Sequence, residues 1–176
     1  MKWFKWLLIG IAALLLLFAA VSLALPSKFR VERSVAIAAP AQKVYLLIAS
    51  PAEWKRWSEW NRRDPAMQIE YGGPTAGVGA RWSWRSATEG NGTMEFVDAV
   101  PGEWLVYRLS FPDLGMQSIG QLRIEPAGSG VRVSWSNEGE MGANPVNRWF
   151  GLFMDRLVGP DFEAGLSNLK RLAETS

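Results

Sequence analysis

The chain contains no histidine and no cysteine among its 176 residues. Without cysteine it can form no disulfide bond, no thiolate metal site and no cysteine nucleophile. Without histidine it can have no His-dependent catalytic triad, no imidazole metal ligand and no ordinary pH switch near neutrality. Any catalysis would therefore use carboxylate, arginine or tyrosine side chains, and we expect neither a metal ion nor another cofactor.

Positive and negative charges are balanced over most of the chain. The net charge is +2 and the isoelectric point is about 9.1, but Lys2 and Lys5 account for the excess, because the remaining basic and acidic residues are equal in number. A nucleic-acid interface needs a basic patch. The short pairs Lys55-Arg56 and Arg62-Arg63 do not form one, so we expect no nucleic-acid partner.

Aromatic side chains, in contrast, are abundant. The chain has 10 Trp, 8 Phe and 6 Met, and Trp54, Trp57 and Trp60 follow one another at a spacing of three. On a helix this spacing places all three indoles on one broad face. An indole is costly to leave in water, yet its ring N–H needs a partner when it is buried. The three residues therefore predict either a large core or the wall of an apolar pocket.

The first 27 residues predict a membrane segment. Residues 7–25 carry no charge and would form a helix of roughly 28 Å, close to the thickness of a bilayer core. Pro26 ends this helix. The alternative is a cleaved signal peptide, since Ser22-Leu23-Ala24 fits the small-x-small cleavage pattern. For a retained single-pass anchor, the short amino-terminal tail favours a domain, residues 28–176, on the extracytoplasmic (periplasmic) side.

The rest of the chain predicts strands and helices in a definite order. Alternation over Arg30–Ala38 predicts a strand. Pro40–Ala49 is predicted to form a helix, and Ser50-Pro51 to start the tryptophan helix. Residues 61–65 are predicted to form a loop. Asn144-Pro145 marks the start of a long final helix, which Gly159-Pro160 should kink or break. Between them, short alternating runs separated by turn residues predict six antiparallel strands: Met67–Tyr71, Val78–Ser86, Gly92–Val100, Trp104–Phe111, Met116–Glu125 and Val131–Asn137.

This order predicts an α+β fold with a curved antiparallel sheet of about seven strands wrapped around a long C-terminal helix. It resembles the helix-grip fold of the START-like (SRPBCC) superfamily over about residues 28–174. The resemblance rests on Val31–Pro40 leading into a helix, on the tryptophan segment, on Gly77–Trp84 and on Asp161–Lys170. The subset it resembles most is the polyketide cyclase/dehydrase-like bacterial proteins with an N-terminal membrane segment. The resemblance implies a cavity between the sheet and the final helix.

The cavity candidates are apolar and aromatic side chains on the predicted strands and helices, with those of the final helix pressing on the sheet: Trp54, Trp57, Trp82, Trp84, Met94, Phe96, Tyr107, Leu109, Met116, Trp135, Phe150, Phe153, Met154 and Leu157. They predict a membrane-tethered domain that binds a hydrophobic small molecule or lipid. One alternative is a cyclase/dehydratase-type enzyme, which would need an inward acid or base from among Glu95, Asp98, Tyr107, Arg108 and Glu138. Another is a non-catalytic envelope interaction protein with a filled core. We assign no catalytic residue.

Overall fold

The computed structural model describes residues 2–142 and 145–175. A long apolar helix precedes a sheet domain, in which three short helices follow the first strand and one long helix ends the chain. The elements are α1 (Lys2–Ala24), β1 (Lys28–Ile37), α2 (Ala41–Ala49), α3 (Pro51–Trp57), α4 (Glu59–Arg63), β2 (Gln68–Gly72), β3 (Arg81–Arg85), β4 (Gly92–Val100), β5 (Trp104–Phe111), β6 (Met116–Ala127), β7 (Gly130–Glu140) and α5 (Pro145–Thr175). The predicted cap at Asn144 lies outside the described residues.

The seven strands form one antiparallel sheet in the order β1-β7-β6-β5-β4-β3-β2. Strands β2 to β7 form a meander joined by short turns, and β1 pairs with β7 along its whole length, from Lys28 opposite Glu140 to Ile37 opposite Val131. Alternating strands with one buried face need a helix layer to cover that face, and α5 supplies it. The predicted helix-grip fold is confirmed.

Helix α5 remains continuous through Gly159-Pro160, so the predicted break is absent. Proline removes one backbone donor and normally disrupts a helix interior. Here the Arg33 guanidinium from β1 bonds Asp155 at 2.7 Å and Glu163 at 2.6 Å, on either side of the proline. A side chain at Gly159 would overlap this guanidinium. We infer that the Arg33 clamp offsets the missing backbone bond.

Three local predictions differ from the structure. The predicted strand from Val78 begins only at Arg81, because Gly77 and Gly79 have positive φ and build a turn. The tryptophan helix is two helices, since Ser58 has an extended conformation between α3 and α4. Helix α4 then runs to Arg63, into the segment predicted as a loop.

Helix α1 corresponds to the predicted membrane segment. Among the described residues, one helix is long and apolar enough to cross a membrane, namely Trp3–Ala24 with a mean hydropathy of 2.8. Its apolar side chains are exposed along most of its length. Such a helix is compatible with a membrane anchor or with a signal sequence.

Candidate functional site

A cavity of about 510 Å³ lies between the inner face of the sheet and the first half of α5. Its size is that of a small-molecule site. Apolar side chains form most of the surface: Phe29, Val31, Leu109, Phe111 and Met116 from the sheet, Trp60 from α4, and Phe150, Met154, Val158 and Phe162 from α5. Strand alternation and the helical period place these side chains on facing surfaces.

A smaller chamber of about 70 Å³ adjoins this cavity. The two spaces share four lining residues, Trp60, Glu89, Leu109 and Phe111. The remaining wall of the chamber includes three tryptophans and two methionines, Trp54, Trp82, Trp84, Met67 and Met94. The chamber extends the apolar surface towards β3 and β4.

The three tryptophans that dominate the sequence have different roles. Trp54 and Trp57 are 2% and 0% exposed, and their indole N–H groups donate to backbone carbonyls of α2 at 2.8 and 3.1 Å. Trp60 is half-buried, lines both spaces and donates to Asp161 Oδ2 at 2.9 Å. Burial of an indole requires such a partner. Trp57 is therefore a core residue, and Trp60 is part of the pocket wall. Trp54 is both buried in the core and part of the chamber wall.

A buried polar cluster lies beside the cavity floor. Trp135 Nε1 donates to Tyr107 Oη at 2.8 Å, and Asn137 Nδ2 donates to the same oxygen at 3.3 Å. Asn137 also lines the cavity, whereas Tyr107 and Trp135 do not. Burial raises the pKa of Tyr107 to about 12, although both hydrogen bonds act in the opposite direction. Tyr107 is thus a neutral phenol at physiological pH, and Asn137 gives the cavity a polar contact.

An ion-pair network joins three elements at one corner of the cavity. Arg63 of α4 bonds Glu89 at 2.9 Å and Asp161 of α5 at 2.7 Å. Burial opposes the charge on Arg63, but the two carboxylates outweigh it and raise its pKa. Glu89, which lines both spaces, is therefore already ion-paired with the Arg63 guanidinium. The network fixes α4 and the β3–β4 turn against α5.

The other ionisable groups considered for catalysis face away from the cavity. Glu95 pairs with Arg108 at 3.6 Å on the outer face of the sheet, where both are about half exposed. Asp98 accepts from Trp104 Nε1 at 3.2 Å, and exposed Glu138 pairs with Arg30. Of the five candidates, only Tyr107 points inward, and its hydroxyl is occupied by two donors.

The sequence-predicted cavity residues fall into four groups. The structure brings Leu109, Met116, Phe150 and Met154 together at the large cavity, and Trp54, Trp82, Trp84 and Met94 at the adjoining chamber. It places Trp57, Phe96, Tyr107 and Trp135 in the packed core. Phe153 and Leu157 are 47% and 59% exposed and do not press on the sheet. The apolar stripe of α5 is wider than the surface that the sheet covers, so its outer edge faces away.

Several lining residues were not among the sequence predictions. Phe29 and Val31 alternate on β1, Phe111 shares a face with Leu109, and Asn137 shares a face with Trp135. The period of two along a strand would have indicated all four once one inward residue was known. Phe162 stacks on Trp135 at 3.9 Å with nearly parallel rings, a contact between distant segments for which the sequence has no local signal.

Comparison with known families agrees with this architecture. Residues 28–174 match the family described as "Polyketide cyclase / dehydrase and lipid transport". The chain belongs to this family. The match covers the whole sheet and nearly all of α5, and it leaves out α1. Among curated proteins, nothing matches the sequence significantly.

Solved structures share the fold of this family member at low sequence identity. A protein from Chromobacterium violaceum is 22% identical with a TM-score of 0.56, over 86% of this chain and 99% of that one. Truncated norcoclaurine synthase from Thalictrum flavum is 14% identical with a TM-score of 0.63, over 85% and 95% of the two chains. The di-domain aromatase/cyclase StfQ of the steffimycin pathway is 14% identical with a TM-score of 0.62, over 84% of this chain and 51% of StfQ. At these identities the likeness shows the fold alone.

Proposed function

We propose that this polyketide cyclase/dehydrase-family protein is a membrane-tethered binding domain that holds a hydrophobic small molecule or a lipid between its sheet and α5. The observation that carries the proposal is the cavity of about 510 Å³, whose surface is mostly apolar. Transfer of an apolar ligand from water into such a space is favourable by about 25 cal/mol for each Å² removed from water.

The polar groups of the cavity support binding more than catalysis. A general acid or base needs a free ionisable group that can reach the substrate. Glu89 is held by Arg63, Asp113 accepts a hydrogen bond from Asn91 at 2.9 Å, and Tyr107 is buried behind Asn137 with a raised pKa. Asn137 is the buried residue among the polar ones that line the cavity. Its amide is therefore the group we expect to recognise a ligand, through one hydrogen bond to a hydroxyl or carbonyl group on a largely apolar molecule.

Helix α1 supports the tethered form of this proposal. Its length and apolar composition suit a single membrane crossing, which would hold the binding domain at the surface of a membrane. For a retained anchor we propose that this domain lies on the extracytoplasmic side, which the signal-like order of basic residues followed by an apolar run favours.

The cavity is tested by comparing two tryptophan substitutions on β6. Met116 lines the cavity, whereas Ile119 is 45% exposed on the opposite face. In the domain 28–176, Met116→Trp should reduce several-fold the amount of small molecule that copurifies, as measured by mass spectrometry of a denaturing extract. Ile119→Trp should leave this amount unchanged, because it adds the same side chain outside the cavity.

The result also separates the alternatives. Equal ligand content in the two variants, with circular dichroism showing that both are folded, would refute binding in this cavity. A wild-type domain that carries no small molecule and also binds no neutral hydrophobic dye would favour a protein-interaction role.

A further inference from the structure

Helix α1 is attached to the start of α5 by specific contacts. Ser22, fully buried, accepts a hydrogen bond from Trp149 Nε1 at 2.8 Å. The Trp149 ring stacks on Phe18 with 5.9 Å between centroids. Arg148 donates to the carbonyl oxygen of Leu23 at 2.7 Å and so satisfies a backbone acceptor that the end of α1 leaves free. The first turns of α5 are therefore fixed beside the last turns of α1.

These contacts determine the depth of α5 if α1 crosses a membrane. Phe18 precedes the end of α1 at Ala24 by six residues, which is about 9 Å along the helix axis. Trp149, which stacks on Phe18, would then lie on the acyl-chain side of the boundary between headgroups and acyl chains, within about 9 Å of it. Indole rings prefer this layer, because they have an apolar body and one polar N–H.

The face of α5 that continues from Trp149 is apolar and about half exposed. Val146, Phe150, Phe153 and Leu157 follow one another at steps of four, three and four, so they form one stripe. They are 51%, 57%, 47% and 59% exposed. Aligned large apolar side chains of this kind are unusual on a surface that contacts only water, and they suit a helix lying in a membrane interface.

Exposed residues of the cavity lining, such as Leu114 and Phe150, lie at the same end of the sheet, and we call this end the cavity mouth. Phe111 pairs with Met116 where β5 turns into β6, and the turn between them exposes Leu114, 65% accessible. Both this turn and Phe150 line the cavity. Strand β1 begins at this end too, at Lys28, directly after α1. Phe150 belongs at once to the exposed stripe and to the cavity wall.

From these contacts we infer that residues 146–157 lie in the surface layer of the membrane that α1 crosses, and that the cavity mouth opens at this layer. The exposed stripe contacts the bilayer surface, and the cavity takes up its ligand from the lipid of this bilayer. This inference rests on the proposed tethering by α1. A ligand would then pass between bilayer and cavity beside Phe150 and Leu114 without crossing bulk water.

The natural absence of cysteine makes a direct test possible. Single-cysteine full chains, each labelled with bimane, are reconstituted in phosphatidylcholine vesicles, and quenching by doxyl-labelled lipid is compared with quenching by aqueous iodide. The positions are Phe153→Cys for the stripe, Leu114→Cys for the mouth, Leu15→Cys for the middle of α1, and Val78→Cys as an exposed control on the β2–β3 loop. We expect the ratio of lipid to iodide quenching to be several-fold higher at positions 153 and 114 than at position 78.

Each outcome has a distinct meaning. If position 15 is quenched by lipid but position 153 or 114 responds to iodide as strongly as position 78, the inference is overturned while the anchor stands. If position 15 itself is not quenched by lipid, the anchor and this inference fail together. Neither outcome affects ligand binding in the cavity, which the Met116→Trp and Ile119→Trp comparison tests separately.

Discussion

Replacing Tyr107 by phenylalanine tests the buried polar cluster behind the cavity. The ring, which packs edge-on against Trp54 at 5.6 Å, is kept, and only the oxygen that accepts two hydrogen bonds is removed. Trp135 is 1% exposed, so its indole N–H would be left without a partner. Asn137 lines the cavity, where water can replace the lost bond. Since one buried unsatisfied group costs about 1–3 kcal/mol, we expect the free energy of unfolding at pH 7 to fall by about that amount.

The pH dependence gives this prediction a second, independent signature. The pKa of Tyr107 is about 12 in the folded protein against 10.0 for an unperturbed tyrosine. Between these values the unfolded chain loses the proton while the folded protein keeps it, so stability falls as pH rises. A difference of two pKa units corresponds to about 2.7 kcal/mol. Tyr107→Phe does not lose stability in this way. The difference in free energy of unfolding between wild type and Tyr107→Phe should therefore become smaller above pH 10.

The assay is urea unfolding of the domain 28–176, followed by near-ultraviolet circular dichroism from pH 7 to 11. Tyrosinate absorbance adds a direct reading, because the chain has only three tyrosines and Tyr107 should ionise last. Tyr71→Phe is the matched control, since Tyr71 is 52% exposed and its loss should barely alter stability. Identical urea midpoints for wild type and Tyr107→Phe at pH 7, or a gap that does not narrow above pH 10, would refute the reasoning.

Two further predictions concern packing and the clamp on α5. A Cβ at Gly120 would overlap the Tyr107 ring, so Gly120→Ala should sharply lower the midpoint of thermal unfolding and also lower the yield of folded protein. Ser118→Ala, on the same strand and face, should change neither. Equal midpoints for Gly120→Ala and Ser118→Ala would contradict this prediction. Hydrogen bonding to Arg33 lowers the pKa of Asp155, so this carboxylate stabilises the fold above its unfolded pKa, and the contribution is lost as pH falls through the lower folded pKa. Asp155→Asn should therefore be less stable than wild type at pH 7 and equally stable in strong acid, as measured by urea unfolding. A difference in the free energy of unfolding that persists in acid would argue against the clamp.

The fold could be predicted because its signals are local. Turn residues such as Pro101-Gly102 separate runs that alternate between apolar and polar residues, and short connections force neighbouring strands to pair. The bounds of β4 and β5 agree with the prediction to the residue. A long apolar stripe at the end of the chain then leaves a helix across the sheet as the way to bury both faces.

Other features could not be predicted because they depend on partners distant in sequence. Nothing near Pro160 indicates that Arg33, more than a hundred residues earlier, stabilises the helix on both sides of it. The exposed stripe of α5 has the same helical spacing as a buried one, so the sequence cannot tell which apolar face meets the sheet. The spacing therefore predicts that Phe153 lines the cavity, whereas its side chain is exposed.

The division of the aromatic residues explains why the cavity lies where it does. Trp54, Trp57 and Trp135 contact one another through edge-on and tilted ring pairs, and Phe162 stacks on Trp135. Together they fill the space between the sheet and the second half of α5, and Phe162 forms the boundary of the cavity. Rigid aromatic packing on one side leaves a preformed space on the other, at the end where α1 is attached. A ligand entering it need not separate packed side chains, so its affinity should depend mainly on the apolar area that it buries and on the proposed hydrogen bond to Asn137.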